Sequence, residues 1–383
     1  MEIKEYKCPN CGGAVKFNSA IQKMKCPYCD AEFEITALDE YQKELASSDE
    51  DTVTVSDGDT IKVSENGVVK IVVKGITQNK DKPLMEESDL GDLSTGACPS
   101  CGAELVGDNN TIAMVCPCCG NSQIVRKRVE GLLRPEYVIP FHLEKEAAVS
   151  ALKKFYQGKK LLPNVFKEEN RVNSIQGLYV PFWLFDAKAH GRVNYKATKT
   201  TSWSDSSHRY VKTDFYSVIR EGSLDFEKIP VDGSEKMNDD YMDAIEPFDY
   251  TKIKDFQTAY LSGYIAEKYD VDDQASKERA ISRIKNSIET QFAKTVKGYV
   301  SVIKEKSAIN VEDCTARYAL FPVWVLNSKY NKENFQFIMN GQSGLIVGKL
   351  PIDKGKANKY RFLFTALFGA GFTLIIQLLR IFM

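Results

Sequence analysis

Histidine is scarce in this chain, which contains only three among 383 residues. His142, His190 and His208 stand far apart in the sequence. Histidine is the usual general base near neutral pH and a common metal ligand, so the sequence offers little for chemistry that needs paired histidines. It also lacks a G-x-S-x-G elbow, an H-E-x-x-H helix, a G-x-G-x-x-G loop and a complete P-loop. We therefore predict that the protein is not an enzyme.

An excess of charge of either sign is also missing, because 51 lysine and arginine residues balance 52 aspartate and glutamate residues. A protein that binds nucleic acid over a broad surface normally carries a positive excess. The basic support for such binding near the cysteine motifs described below comes from Lys23, Lys25 and the run Arg126 to Arg128. Nucleic-acid binding is therefore an alternative that depends on these local patches.

Long apolar runs are missing from residues 1–361, and no signal peptide is expected at the N-terminus. Residues 362–379, in contrast, carry no charge, and as a helix they would span about 27 Å, close to the hydrocarbon thickness of a bilayer. Four basic residues lie within the preceding segment 353–361 and only Arg380 follows, which places the bulk of the chain in the cytoplasm. We predict a single-pass protein of the cell membrane, with a buried core helix or an interfacial helix as the alternative.

Cysteine is frequent and regularly spaced. Eight of the ten cysteines form two sets with the spacing C-x2-C-x14-C-x2-C: Cys8, Cys11, Cys26 and Cys29, and then Cys98, Cys101, Cys116 and Cys119. Each pair has proline after its first cysteine, and three pairs have glycine after the second, which is typical of zinc-ribbon knuckles. Because four thiolates complete the coordination shell of zinc, we predict two structural zinc ions without a catalytic role.

Two alternatives for the cysteines stay open at the level of sequence. A disulfide framework also uses an even number of cysteines, although a cytoplasmic chain favours thiolates and metal. Cys118 could replace Cys119 as a ligand, although the repeated spacing favours Cys119. Cys314 stands alone and is interpreted as a partly buried residue of ordinary packing.

Between the two cysteine sets, the chain is acidic, with a central stretch of alternating apolar and polar residues that predicts β-hairpins. After the second set, the chain contains a loose internal repeat. Each half has a strand, at 137–142 or 259–266, then a helix, at 144–157 or 273–294, and then a strand with a P-x-W motif. Proline inside these strands predicts edge positions or strand starts.

The predicted fold class is α+β, with two four-cysteine zinc ribbons, a duplicated region of antiparallel sheet plus helix, and a C-terminal transmembrane helix. The predicted boundaries are 1–36 for ribbon 1, 37–96 for the acidic linker, 97–128 for ribbon 2, 129–255 and 256–352 for the two α+β modules, 353–361 for a basic juxtamembrane segment and 362–383 for the transmembrane helix.

Several segments together resemble the bacterial TFIIB-type zinc-ribbon membrane proteins that are common in Firmicutes. These segments are the CPxC knuckles, KKLLPNVF from Lys159, YVPFWLFD from Tyr179, YLSGYIAEKYD from Tyr260 and MNGQSG from Met339. The resemblance covers nearly the whole chain and carries over only the eight cysteines as site residues. Such proteins are often labelled as primosomal or replication-restart helicases, but this chain lacks the Walker motif that such an activity requires.

The resemblance also implies a setting, because some members are encoded beside band-7 (flotillin-like) and phage-shock-type proteins. From it we expect a scaffold in a membrane-stress assembly, with protein partners of these kinds and contact with the lipid bilayer through residues 362–383. The alternative function is a nucleic-acid-binding ribbon protein related to replication or transcription.

Overall fold

A computed structural model of the chain describes residues 6, 8–11, 13–38, 40–41, 52–54, 60–63, 69–71, 84–85, 93–108, 115–121, 124–126 and 132–382. Ribbon 1 contains a small antiparallel sheet of β1 (Lys16–Asn18), β2 (Lys23–Lys25) and β3 (Glu32–Phe33). Within the predicted linker, a second antiparallel sheet contains β4 (Thr52–Thr54), β5 (Thr60–Val63) and β6 (Val69–Ile71).

The other described strands form one mixed sheet of eleven strands. They are β7 (Leu93–Ala97), β8 (Glu104–Asp108), β9 (Val125–Arg126), β10 (Tyr137–Val138), β11 (Gln176–Ser204), β12 (Arg209–Asp232), β13 (Lys254–Asp255), β14 (Ile265–Glu267), β15 (Ser301–Tyr330), β16 (Glu333–Asn340) and β17 (Ile346–Gly348). The strand order is β13-β10-β15-β11-β14-β8-β7-β9, while β12 pairs with β11 and β16 pairs with β15 and β17. Ribbon 2 therefore extends the main sheet through β8.

Helices lie around this sheet. Among the described residues after ribbon 2, the α-helices are α1 (Lys145–Tyr156), α2 (Glu169–Val172), α3 (Asp239–Ala244), α4 (Asp273–Thr295) and α5 (Lys354–Phe382), and the 3-10 helices are Asn164–Lys167, Tyr250–Lys252 and Thr258–Leu261. The predicted helices at 144–157 and 273–294 match α1 and α4 closely. The predicted strand at 259–266 differs, because its first half is the last of the 3-10 helices and only its end continues as β14.

The internal repeat is present, but its two halves exchange elements. In the first half β10 precedes α1 and β11, and in the second half β14 precedes α4 and β15. β10 pairs in parallel with β15, and β14 pairs in parallel with β11, so each first strand joins the long strand of the other half. β11 and β15 themselves pair antiparallel through the centre. The two predicted modules therefore share one sheet and are interleaved within it.

The two P-x-W tryptophans make equivalent contacts across this exchange. Trp183 Nε1 donates to the carbonyl oxygen of Val271, just before α4, at 2.8 Å. Trp324 Nε1 donates to the carbonyl oxygen of Leu143, just before α1, at 3.2 Å. Both indoles are buried, so the tryptophans fix the start of each helix against the strand of the opposite half.

Both prolines of these motifs lie inside central strands, and the expectation of edge positions or strand starts was wrong. The β11 residues before Pro181 pair with β14, and those after it pair with β12. The β15 residues before Pro322 pair with β10, and those after it pair with β16. Each proline stands where one neighbouring strand ends and the next begins, so its missing N–H breaks no ladder.

β11 and β15 contain 29 and 30 residues, which corresponds to roughly 95–100 Å of extended chain each. Their distal parts, with β12, form a three-stranded extension that we call the arm: residues 187–204, 209–226 and 301–312. α4 covers one face of the arm, where Ile284, Ile288 and Phe292 pack against its small and apolar side chains.

A bulged region marks the base of the arm at Asp186. Lys228 on β12 and Asp313 on β15 have left-handed backbone angles, with φ of 55° and 49°, and the register of β11 shifts on both sides. One carboxylate oxygen of Asp186 accepts the Lys228 N–H at 2.7 Å, and the other accepts from Arg317 at 2.8 Å. Asp186 thereby accepts from the backbone of the β12 bulge and links β11 to β15 through Arg317 at the base of the arm.

Candidate metal centres and the apolar helix

The first four-cysteine set comes together in ribbon 1. The sulfur atoms of Cys8 and Cys29 lie 3.6 Å apart, and those of Cys11 and Cys26 lie 3.5 Å apart. All four sulfur atoms lie within 4.8 Å of one another. Cys8 and Cys26 are buried, whereas Cys11 and Cys29 are exposed.

The second set comes together in ribbon 2 with the same pairing. The sulfur atoms of Cys98 and Cys119 lie 3.6 Å apart, and those of Cys101 and Cys116 lie 3.8 Å apart. The four sulfur atoms again lie within 4.8 Å of one another. Here Cys98 and Cys116 are buried and the other two are half-buried, so ribbon 2 covers its sulfur atoms more completely than ribbon 1.

Both sets have the dimensions of a tetrahedral metal site. A zinc ion bound at about 2.3 Å by four thiolates requires sulfur–sulfur distances of about 3.8 Å. Disulfide bonds of about 2.05 Å do not fit the observed separations, and all ten cysteines are free thiols. Each set can therefore hold one metal ion.

The backbone of each knuckle turns its N–H groups toward sulfur. The second cysteine of every pair accepts from the residue two positions on, which is Gly13, Ala31, Ala103 or Asn121. The residue directly after the second cysteine has positive φ at Asp30, Gly102 and Gly120, with values of 58°, 76° and 75°. This left-handed position explains why glycine is frequent there in the sequence.

Ribbon 1 packs on the body through side chains outside its metal site. The Phe17 ring meets the Tyr260 ring edge-on at 5.2 Å. Gln22 Nε2 donates to the carbonyl oxygen of Phe141 at 2.7 Å. Cys8, Met24 and Cys26 belong to the same buried cluster as Phe141, so the ribbon shares a core with the repeat region.

Ribbon 2 is joined to the body more tightly, by hydrogen-bonded strands. β8 pairs antiparallel with β14 over three residues, from Ile265 to Glu267. The Lys268 ammonium group lies 3.1 Å from the Glu104 carboxylate at the end of this pairing. On the other side, Gln336 Nε2 donates to the carbonyl oxygen of Cys118 at 3.1 Å. The second metal site thus lies between β14 and β16 and contacts both strands.

Cys118 lies beside the second set, whose four sulfur atoms come from Cys98, Cys101, Cys116 and Cys119. Its thiol is buried and donates to Glu267 Oε1 at 3.6 Å, and Ser234 donates to the same oxygen at 2.9 Å. Burial raises the pKa of Glu267 to about 8, against the opposing effect of the Ser234 hydrogen bond. This contact was not predictable from local sequence patterns, because Glu267 lies 149 positions from Cys118.

The remaining candidates lie apart from the metal sites. Cys314 is half-buried and packs beside the core of the arm. His190 bonds Ser223 on the arm at 3.1 Å. His208 contacts Ser207 in the loop between β11 and β12 at 2.7 Å, and His142 follows β10 in the body. The structure does not bring the three histidines together.

The apolar C-terminal helix is uncovered. Within α5, Lys354–Gln377 is long and apolar enough to cross a membrane, and none of its most apolar window is buried inside the protein. Phe362, Phe368 and Phe372 are 78%, 76% and 65% exposed. A core helix of a soluble protein would be mostly buried, and this helix is not.

The start of α5 is fixed to the body by the segment 161–164. The backbone N–H of Asp353 donates to the carbonyl oxygen of Leu161 at 2.9 Å. The Lys356 ammonium group donates to the Leu162 carbonyl and the Asn164 side chain, both at 2.7 Å. This segment lies in the KKLLPNVF stretch, whose role in holding the helix was not visible in the sequence.

These features define a class: an α+β protein with two four-cysteine ribbons built onto one interleaved sheet, followed by an apolar C-terminal helix. The chain is 33% identical over 308 residues to the uncharacterized protein YdjG of Bacillus subtilis (strain 168), and the alignment covers 68% of this chain and 90% of that protein. The chain belongs to the same family as YdjG. No protein-family model and no solved structure matches the chain.

Proposed function

We propose that this protein is a non-enzymatic, zinc-containing adaptor that α5 anchors in the cell membrane and that recruits protein partners at the cytoplasmic face. The observation that carries the proposal is the combination of closed four-sulfur sites with an uncovered apolar helix in one chain. A closed shell leaves no coordination position for a substrate or a catalytic water. Insertion of this helix into a bilayer would keep the body at the membrane.

Zinc is the metal that we propose for both sites. Soft thiolate ligands in a tetrahedral arrangement select zinc or iron, and a reducing cytoplasm keeps the ligands as thiols. The ribbons are small, so metal binding would contribute much of their folding free energy. Metal analysis of the purified protein should give two zinc ions per chain.

The bilayer anchor is supported by length and charge. The uncharged part of α5 spans about 27 Å as a helix. Lys354, Lys356, Lys359 and Arg361 precede it, and Lys159 and Lys160 lie beside the segment that holds its start. This basic collar suits the anionic cytoplasmic surface of a membrane.

Protein partners are preferred to nucleic acid because Lys23 and Lys25, the ribbon 1 lysines that would favour nucleic acid, are already paired with carboxylates. The Lys23 ammonium group lies 2.9 Å from Glu34, and that of Lys25 lies 3.2 Å from Asp30. Each carboxylate would compete with a phosphate for its lysine. From the family resemblance, band-7 (flotillin-like) or phage-shock-type proteins in a membrane-stress assembly are the partners to look for.

The proposal is tested by purifying tagged full-length protein from detergent-solubilised membranes. Co-purified proteins are identified by mass spectrometry, and nucleic acid is quantified with and without nuclease. We expect membrane-associated proteins that are lost when Cys98 and Cys101 are replaced by serine but retained in the matched control Cys314→Ser. Enriched nucleic acid without a stable protein partner would favour the alternative function.

A further inference from the structure

The outer edge of the arm is an open β-strand edge. Among the described residues, β12 pairs only with β11, so its other side offers unpaired N–H and C=O groups along the strand. The pairing with β11 runs without a register shift from Ala187–Phe226 to Ser204–Arg209. A long, regular edge of this kind is a template for pairing with another strand.

Exposed apolar side chains concentrate at the end of this edge. Tyr210, Val211, Phe215 and Tyr216 are 42%, 61%, 67% and 39% exposed. α4 packs against the arm only as far as the level of Ala197 and Val302, so the end of the arm has no helix over it. Bulges, which blunt many protein edges, are missing from this stretch of β12, and its charged side chains, Arg209, Lys212 and Asp214, are ones that a partner strand would have to match.

The sequence of β12 around Thr213 is complementary to itself. In an antiparallel pairing centred on Thr213, the lysine at 212 faces the aspartate at 214 of the second strand, and Asp214 faces the second lysine. One position further out, Val211 faces Phe215. Beyond these, Tyr210 faces Tyr216, so every direct pair is of a kind that stabilises sheets.

Neighbouring registers lose this match. Side chains that face each other in an antiparallel pair lie on the same side of the sheet. When a two-fold axis normal to the sheet relates the two copies, one residue at the centre of the pairing faces its own copy. The neighbouring registers therefore move this central residue along β12 by one position at a time. A centre at Lys212 places two lysines opposite each other, and a centre at Asp214 places two aspartates together. Of these three registers, only the one centred on Thr213 joins opposite charges.

We infer that two copies of this protein pair through the β12 edges of their arms, antiparallel and centred on Thr213. The occupant of the edge is therefore a second copy of the chain. The Lys212 and Asp214 side chains of one strand already lie 3.0 Å apart, and in the dimer they form a ring of four alternating charges with their counterparts. Antiparallel pairing places the two bodies at opposite ends, so neither the ribbons nor α5 contribute to the contact.

A charge-swap series tests the pairing in full-length protein in detergent, with the dimer fraction measured by mass photometry across concentrations. Lys212→Asp turns both attractive pairs into repulsive ones, and we expect the dimer to weaken roughly tenfold or more. The double variant K212D/D214K restores opposite charges and should recover dimerisation. The control Lys306→Asp makes the same change of net charge on β15, which β11 separates from β12 in the arm, and should leave the dimer unchanged.

A cysteine cross-link tests the register directly. In the inferred dimer Thr213 faces its own copy, so Thr213→Cys should form an intermolecular disulfide under mild oxidation. Thr200→Cys, opposite Thr213 on β11, would stand about 14 Å from its counterpart, beyond disulfide reach. The wild-type protein, oxidised in the same way, measures the intermolecular cross-linking that the native cysteines produce by themselves. A wild-type monomer at all concentrations, or a dimer that Lys212→Asp leaves unchanged, would overturn the inference.

Discussion

At the scale of single residues, the two metal sites differ in how far the fold covers their sulfur atoms. Cys11 and Cys29 of ribbon 1 are exposed, while Cys101 and Cys119 of ribbon 2 are half-buried against the sheet. Reagents that attack thiolates reach exposed sulfur first. The two sites therefore form an unequal pair in spite of their identical spacing.

This inequality predicts an order of metal loss. Treatment with limiting hydrogen peroxide should modify Cys11 and Cys29 several-fold faster than Cys101 and Cys119, as measured by mass spectrometry of the peptides. Released zinc, followed with a coloured chelator, should appear in a fast and a slow phase. A variant with Cys8 and Cys11 replaced by serine should retain only the slow phase. Equal rates at the two ribbons would contradict the account.

Asp232 predicts a pH dependence of stability. Burial raises its pKa to about 6, although the Arg279 guanidinium group at 2.7 Å opposes this shift. A carboxyl group whose pKa is raised on folding binds its proton more tightly in the folded state, so its contribution to stability falls as pH rises from about 4 to about 6 and above. Relative to Asp232→Asn, the wild type should lose about 1 kcal/mol in free energy of unfolding between pH 5 and pH 7.

The measurement is denaturant unfolding of both proteins with zinc present at each pH. The comparison between wild type and variant cancels the effect of pH on the ribbon thiolates, which is common to both. Asp240→Asn, which removes an exposed carboxylate from the same helix α3, is the matched control and should keep the wild-type slope. Parallel pH profiles for wild type and Asp232→Asn would show that the carboxyl group is not perturbed.

At the scale of elements, local patterns predicted the helices and the cysteine sites well. The apolar stripe of α4 and its cap are encoded within one stretch of sequence, and Asp272 indeed accepts from the N–H of Ala275 at 2.8 Å. The ribbon geometry is equally local, because spacing and knuckle turns determine it. Such features depend on residues a few positions apart.

Features that depend on distant strands were not predictable in this way. The two prolines were expected at sheet edges, because the sequence does not reveal which strands pair beside them. Next to Pro181, the strand that pairs with β11 changes from β14 to β12. The exchange of β10 and β14 between halves rests on pairings across more than 80 residues. Both are consequences of topology, which a pattern of alternating residues does not encode.

The pairing of β8 with β14 predicts that ribbon 2 supports the main sheet. Removal of metal should unfold the ribbon and free one edge of β14. In hydrogen exchange measured by mass spectrometry, a chelator should accelerate exchange at residues 265–267 and leave residues 323–325, paired with β11 on one side and with β16 on the other, largely protected. Unchanged protection of β14 after complete loss of metal would show that the sheet does not need the ribbon.

At the scale of the whole molecule, the two ribbons and the repeat region form one body, which we propose that α5 holds at a bilayer. Both ribbons share cores with the repeat region, and the two halves of the repeat complete each other's sheet. The ribbons are therefore packed into the body, and they are not separate domains joined to it only by a linker. A partner would meet their exposed knuckles in a fixed orientation, set by the segment 161–164 that holds the start of α5.

The measurement that tests the central claim most directly is carbonate extraction of membranes from cells that produce the full-length protein. The comparison includes a deletion of residues 362–383, the variant L367D/L374D and the matched control L367A/L374A. A charged residue in the middle of a membrane helix costs roughly 2.5–3.5 kcal/mol on insertion scales. The account predicts that the full-length protein and the alanine variant remain in the membrane pellet, while the deletion and the aspartate variant are released. Full-length protein in the soluble fraction, or pelleting of all four proteins alike, would contradict it.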